Sequence, residues 1–366
     1  MNTFTSGLDG KPQRPTIKDI AEKAGVSKTT VSFALNEPSR ISEATYKRIM
    51  SVVAEVGYVP DPVARTLTTK RLGALGLLLP QPIAEALRNP YICEIIRGIG
   101  EICEEHEFSL TMIPPIRGRV LEAARRAFVD GLITLGVGPD HEVVYLLQRR
   151  RIPFVTIDGA ETDMTLNVGV DDEGAAYSLM RHVLGLGHRR IAILSLMPEA
   201  LALPDWSFSL VRDRRLAGFA RALGECGLGL DSPCVRIVPA GGSHEGGARA
   251  ALELLADRPA APSAIVAMAD AAALGVYNAC NALGLSIPAD VSVAGIDDIP
   301  ESARARPALT TIRQPGREKG ACAASLAFSL LEGGAVSHVL LPAELVVRGS
   351  TTAPRPGPEG ASGAGA

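Results

Sequence analysis

Near the start of the chain, Lys28, Thr29, Ser32 and Phe33 follow Ser27 at a spacing that puts them on the outward face of a short helix. Lys donates to guanine O6 or N7, and Thr offers a hydroxyl and a methyl group, so this face has the chemistry to read base edges in a DNA major groove. Phe33 can either meet a thymine methyl or pack. Thr16, Ser27, Thr30, Ser32, Asn36 and Tyr58 suit phosphate contacts or helix caps, which position a head on a duplex without reading its sequence. Other apparent chemistry is weaker. Ser243, His244 and Glu245 are consecutive within a glycine-rich stretch, yet adjacent side chains point apart and make no triad by neighbourhood, so a flexible loop is expected there. The six cysteines show no C-x-x-C pair and no histidine at ligand spacing, which leaves reduced thiols and no metal as the expectation. The G-x-S-x-G, P-loop, H-E-x-x-H and G-x-G-x-x-G signatures are absent, so neither an enzyme nor a cofactor is expected.

The elements that must hold the first set are legible. Thr16 and Asp19 resemble a capping box, Ile17, Ile20, Ala21 and Ala24 recur at helical spacing, and Gly25 stops the helix. Ser27 caps a second helix running to Leu35, with Val31, Ala34 and Leu35 facing inward. Only Gly25, Val26 and Ser27 separate the two, the spacing of a helix-turn-helix whose second helix enters the major groove. Ser42 caps a third helix, which closes at Gly57. From Leu72 onward short apolar runs alternate with helical runs, which means parallel sheets flanked by helices. Two such halves of roughly a hundred residues each predict two doubly wound lobes with a ligand cleft at the carboxyl ends of their strands.

The net charge of −3 over 366 residues conceals its distribution. Residues 1–71 hold 11 Lys and Arg against seven acids, and the remainder holds 26 against 33. A basic head on an acidic body is the asymmetry of a nucleic-acid reader joined to another module. Only one lysine, Lys319, lies beyond residue 70. No apolar run approaches the length of a membrane span and no apolar leader opens the chain, so a cytoplasmic location is expected, with no membrane partner.

The stretch TIKDIAEKAGVSKTTVSFALNEPSRISEATYKRIMSVVAEVGYVPDPVARTL resembles the DNA-binding head and hinge of the lactose-repressor (LacI/GalR) family of bacterial transcription regulators. The likeness continues through NPY at residues 89–91, GLI at 131–133, GHRRIA at 187–192, RRLAGF at 214–219, VSVAGIDD at 291–298 and LTTIRQP at 309–315. It implies a small all-α helix-turn-helix head plus an α/β body of two doubly wound parallel-sheet lobes, like a periplasmic binding protein. Residues 1–15 and 353–366 would be tails, 16–60 the head, 61–71 the hinge and 72–352 the effector-binding and dimerisation body.

The family's functional positions carry over residue by residue. Lys28 and Thr29 match its principal base-reading positions, while Phe33 departs from the Arg often found there. Ala64 and Leu67 fall in the hinge segment, and Leu67 matches the leucine that wedges into a central base step of the minor groove. About seven hinge residues cannot hold a helix alone, so DNA must order them. Arg215 and Asp297 match effector contacts, with Asp158 a third candidate. An arginine fork and carboxylates at strand ends suit hydroxyl-rich or heterocyclic ligands. Arg215 and Asp297 could instead form an interlobe pair, and Asp158 could cap a turn. Asp270, beside an Ala269 that stands where the family usually has Asn, and Trp206, which can stack on a ligand ring or fill the lobe, complete the expected effector set. The resemblance implies a homodimeric repressor that reads a near-palindromic operator under the control of a small-molecule effector, a sugar or related metabolite.

Overall fold

The computed structural model describes residues 15–59, 71–196 and 210–355. The chain divides between Leu72 and Gly73 into two compact units. In the first, α1 (Ile17–Ala24), α2 (Lys28–Asn36) and α3 (Glu43–Val56) enclose a core of Ile20, Ala21, Ala24, Val31, Ala34, Ile49 and Val52. Each helix begins on a hydroxyl cap. Thr16 and Asp19 form a reciprocal box, Ser27 accepts the Thr30 N–H at 3.1 Å, and Ser42 accepts that of Thr45 at 3.3 Å. Gly25 and Gly57 end α1 and α3 in the left-handed conformation, with φ of 66° and 63°, where a side chain would be strained.

The second unit holds two six-stranded sheets. One contains β1 (Ala74–Leu78), β2 (Ser109–Ile113), β3 (Gly131–Leu135), β4 (Phe154–Ile157), β5 (Leu166–Val170) and β11 (Val339–Leu341), ordered β11-β5-β4-β3-β1-β2 and parallel throughout. The other contains β6 (Ile191–Ser195), β7 (Val235–Pro239), β8 (Ala264–Ala267), β9 (Ser292–Asp297), β10 (Thr310–Arg313) and β12 (Glu344–Val346), ordered β12-β10-β9-β8-β6-β7, with β12 antiparallel to β10. The central strands are buried on both faces, as their unbroken apolar runs require.

Helices cover both faces of each sheet. The first lobe carries α4 (Ile83–Ala86), α5 (Pro90–Glu105), α6 (Val120–Arg126) and α7 (Glu142–Arg150). The second carries α8 (Asp172–Gly185), α9 (Leu210–Gly224), α10 (His244–Ala256), α11 (Asp270–Ala282) and α12 (Pro300–Arg304). Here the two-halves expectation needs correction. The chain crosses back after β10, so α13 (Gly316–Leu331) and β11 belong to the first lobe, and a third crossing delivers β12 to the second. Periodicity reveals elements in order but not the sheet each one joins.

The glycine-rich stretch around Ser243 also differs from the expected loop. Ser243 caps α10, accepting the Gly246 N–H at 3.1 Å, and Gly247 lets α10 approach α11 so closely that a Cβ there would lie 2.0 Å from the Ala272 carbonyl oxygen. The first lobe uses the same device reciprocally. A Cβ on Gly98 of α5 would meet the Arg317 carbonyl at 1.9 Å, and one on Gly320 of α13 would meet the Ile95 carbonyl at 2.1 Å. Overpacking such a contact costs about 1–3 kcal/mol or more. Gly98→Ala is therefore expected to lower the thermal midpoint of the body, whereas Gly100→Ala, two residues along α5 with open space at its Cβ, should raise it by about 0.5–1 kcal/mol of helix stability. Equal midpoints for the two variants would contradict the backbone contact.

Candidate functional site

In the head, Lys28 and Thr29 are exposed on the first turn of α2 and Asn36 is exposed at its end. Thr30, Ser32 and Phe33 are half-buried. Thr16 and Ser27 are engaged as caps, and the Asn36 side chain donates to the Ser32 carbonyl at 3.1 Å. Tyr58 packs against the head core. Phe33 has a partner that sequence reasoning missed. The Arg40 guanidinium lies over its ring, 4.8 Å from the centroid, and pairs with Glu37 at 3.3 Å. A cation thus sits beside α2 although position 33 is aromatic. Ala64 and Leu67 lie outside the described residues.

In the body, the strand ends converge on a buried ionic cluster. Lys319, on the first turn of α13, is fully buried. Its ammonium donates to Asp158 Oδ1 at 2.6 Å, Gln314 Oε1 at 2.8 Å and the Tyr91 hydroxyl at 2.9 Å, which uses all three of its protons. Tyr91 in turn donates to Asp158 Oδ2 at 3.3 Å. Because the Gln314 oxygen faces Lys319, its amide nitrogen faces the second lobe and donates to Asp297 Oδ1 at 2.9 Å. Tyr91, Asp158 and Lys319 stand on the first lobe and Asp297 on the second, so the network joins the two lobes where the chain crosses between them. A further interlobe bond runs from Arg214 Nη2 to the Gly159 carbonyl at 2.6 Å.

Arg215 is buried and holds Asp172 Oδ1 through Nε at 2.9 Å and the Met268 carbonyl through Nη1. The expected alternative of an Arg215–Asp297 pair is thus replaced by Arg215–Asp172, both on the second lobe. Burial drives the Tyr91 phenol well above its ordinary value, and the negative charges of Asp158, Asp297 and Asp172 push it the same way. Burial likewise raises the Asp172 carboxyl, with Arg215 opposing, and pushes Asp297 up to about 8. The backbone is strained at the same place. Asp158 has a φ of 57°, and Asp297 and Asp298 have φ of 137° and 57°, so the strand ends of both lobes hold non-glycine residues at positive φ.

Asp270 adjoins this set through its N–H, 3.4 Å from Asp297 Oδ2, but its side chain is engaged elsewhere. It is fully buried in the second lobe, where Oδ1 accepts from Thr311 at 2.6 Å and Oδ2 accepts from Ser302 at 2.6 Å and the Ile299 N–H at 3.2 Å. Its carboxylate ties α11 to β10 and α12, and no oxygen is left open toward a cleft. Trp206 lies outside the described residues. The structure thus brings Asp158, Arg215 and Asp297 together and adds Tyr91 and Gln314, which lie in the NPY and LTTIRQP motifs without having been singled out, and Asp172 and Lys319, which lie in none of the quoted motifs. The sequence hides Lys319, since it directly follows Arg317 and Glu318 and so reads as part of a charged, solvated first turn of α13. Among the described residues no group of three or more His, Cys, Asp or Glu has metal-binding geometry, and no helix is long and apolar enough to cross a membrane.

Comparison with known proteins finds a family match within each of the two units. Residues 16–61 match the family of bacterial regulatory proteins called lacI, and residues 180–351 match the periplasmic binding protein-like domain. An HTH-type transcriptional regulator of Mycobacterium tuberculosis is 31% identical over 357 residues, covering 93% of this chain and 98% of its own. The HTH-type transcriptional repressor CytR of Escherichia coli is 31% identical over 347 residues, covering 92% and 96%. Among solved structures, the Lac repressor dimer bound to operator and the anti-inducer ONPF superposes with a TM-score of 0.76 at 27% identity, covering 93% of this chain and all of its own. Helix-turn-helix head, twin parallel sheets and full-length relatives agree: the chain belongs to the lacI family and is a DNA-binding transcriptional regulator.

Proposed function

We propose that this regulator is a homodimeric repressor that binds a near-palindromic operator and changes its operator affinity when a small-molecule effector, a sugar or related metabolite, occupies the cleft between the two lobes. The observation that carries this reading is the buried cluster of Asp158, Asp172, Arg215, Asp297 and Lys319 at the carboxyl ends of both sheets, in a chain that also carries an exposed, capped recognition helix. Charged side chains are almost never buried without a task, and strand carboxyl ends in doubly wound sheets are where ligands bind. Lys28 and Thr29 would read bases, with Ser32, Asn36 and Arg40 beside them, while Thr16 and Ser27 hold the helix ends. Leu67 and Ala64 would act at the operator centre, as the family resemblance implies. Repression is supported by the name of the CytR relative, and dimeric operator binding by the Lac repressor complex. The effector would contact Arg215 and Asp297, with Asp158 behind them fixed by Lys319. It can shift DNA affinity only as far as it binds the two lobe arrangements unequally.

On a duplex selected from random sequence by the protein itself, Lys28→Ala should weaken binding by about 1–3 kcal/mol and relax preference at one base pair, read by competition against single-base variants. Binding of the wild type should fall steeply with salt, and a flat log–log slope would remove the phosphate-contacting role of the head. Arg215→Ala and Asp297→Ala should abolish the change in operator affinity on adding effector while leaving effector-free binding near the wild-type level. A retained response would take those residues out of the site.

The cleft carries its own pH signature. A carboxyl whose folded value is raised from about 4 to about 8 stays protonated in the folded state over that window, so its contribution to stability falls as pH rises through it. Asp270, pushed by burial up to about 6, acts in the same direction over a narrower window. Urea midpoints measured from pH 5 to 9 should therefore decline less for Asp297→Asn than for the wild type. Parallel profiles would contradict the buried, protonated carboxyl.

A further inference from the structure

The hydrogen-bond capacity of the cluster is unevenly spent. Lys319 has no proton left to offer, and both Asp158 oxygens are taken, one by Lys319 and one by Tyr91. Asp297 Oδ1 is taken by Gln314, and Oδ2 has only a long 3.4 Å contact from the Asp270 N–H. Asp172 is the clearest case. It is 2% exposed, Oδ1 is held by Arg215, and Oδ2 has no hydrogen-bond partner among the described residues. A buried carboxylate oxygen without a donor costs more than an unmade neutral bond, so it marks a place prepared for something else.

The charges point the same way. Arg215 is paired with Asp172 and Lys319 with Asp158, whereas the Asp297 carboxyl is bonded by the neutral Gln314 amide and by no cation among the described residues. Both aspartates with open capacity are on the second lobe, facing the Lys319–Asp158 pair of the first. What such a volume lacks is a positive charge with hydrogen-bond donors, while a phosphate or carboxylate would bring a further unpaired negative charge into low dielectric.

We propose that Asp172 determines effector class and that the cleft selects a protonated, hydroxyl-bearing amine of the amino-sugar or imino-sugar type, its ammonium donating to Asp172 Oδ2 and Asp297 Oδ2. This rests on the effector-cleft reading above and goes one step further, to the charge of the ligand. Asp158, by contrast, is a positioning residue, fixed by Lys319 and turned away from the ligand. Binding a cation between carboxyls held up by burial also requires them to shed protons, so association is linked to proton release.

The test is calorimetry on the full-length protein with matched probes: glucosamine, glucose, N-acetylglucosamine and glucose 6-phosphate, the corresponding galactose series, and an imino sugar. Each amine is expected to bind at least about tenfold tighter than its neutral or anionic counterparts, the scale of a charge-assisted hydrogen bond. Its enthalpy should vary with the buffer as protons are released. Asp172→Asn keeps an acceptor for Arg215 but turns the open position into an N–H donor, so it should erase that tenfold preference. Asp172→Glu, which keeps the charge, should retain part of it and controls for folding. The proposal is overturned if a neutral or phosphorylated member binds as tightly as its amine, if no amine binds, or if Asp172→Asn preserves the preference, in which case Oδ2 serves water alone. Asp297→Ala separates the two layers. If it weakens amine and neutral members by the same factor, the cleft stands and the amine class falls, and if it leaves all binding untouched the cleft reading itself falls.

Discussion

The ammonium of Lys319 has been taken wholly out of water, and moving such an ion into a protein interior costs several kcal/mol unless every proton finds an acceptor. Three acceptors are supplied from three different segments: Tyr91 at the start of α5, Asp158 after β4, and Gln314 on the second crossing between lobes. Much of the hinge geometry follows from that requirement. Asp158 must sit at positive φ to bring its carboxylate over α13, and Gln314 must turn its oxygen inward, which commits its nitrogen to Asp297. One desolvated charge therefore sets the orientation of an amide whose other end touches the opposite lobe. Rotating the lobes means either parting Gln314 from Asp297 or moving Gln314 off Lys319, and the second leaves a buried ammonium short of an acceptor.

The glycine contacts make each lobe a stiff body on either side of that hinge. Reciprocal Gly98 and Gly320 bring α5 and α13 to backbone contact, and Gly218 does the same for α9 against Glu173 at the start of α8. α13 carries Lys319, α9 carries Arg215 and α8 carries Asp172. Glycine-mediated backbone contact thus anchors the helices that present the ionic cluster, as it does α10 against α11. A ligand that displaced one of these side chains would move a helix with its lobe.

Much of this was legible in the residues, and the exceptions have physical reasons. The head could be read almost residue by residue, because caps at Thr16, Ser27 and Ser42 and stops at Gly25 and Gly57 are local chemistry that tertiary structure leaves alone. The alternation of strand and helix was equally plain. Long-range arrangement was not: nothing local in Val339–Leu341 says that it pairs with β5 rather than with the lobe that precedes it. The helix at Ser243 was hidden because glycine-rich runs read as loops, whereas here the missing side chains serve helix-to-helix approach. Motifs pointed to Arg215, Asp158, Asp297 and Asp270, and the structure places the first three in one ionic cluster while the Asp270 carboxylate is bonded to Ser302, Thr311 and Ile299. Carboxylates at strand and helix ends look alike in sequence, and only their partners tell ligand-facing from structural.

The third crossing has a bearing on how the chain is made. Since β11 comes from residues 339–341, the first sheet cannot be finished until nearly the whole second lobe has been synthesised, and β12 then closes the second sheet a few residues later. The final described turn is clamped in turn, with His182 bonded to Thr351 at 2.9 Å and His188 to the Thr352 carbonyl at 2.8 Å. A ribosome therefore releases the three-helix head long before either lobe can close. During that interval the chain holds a formed second head helix but neither completed sheet, so the body is the last part of the molecule to be assembled.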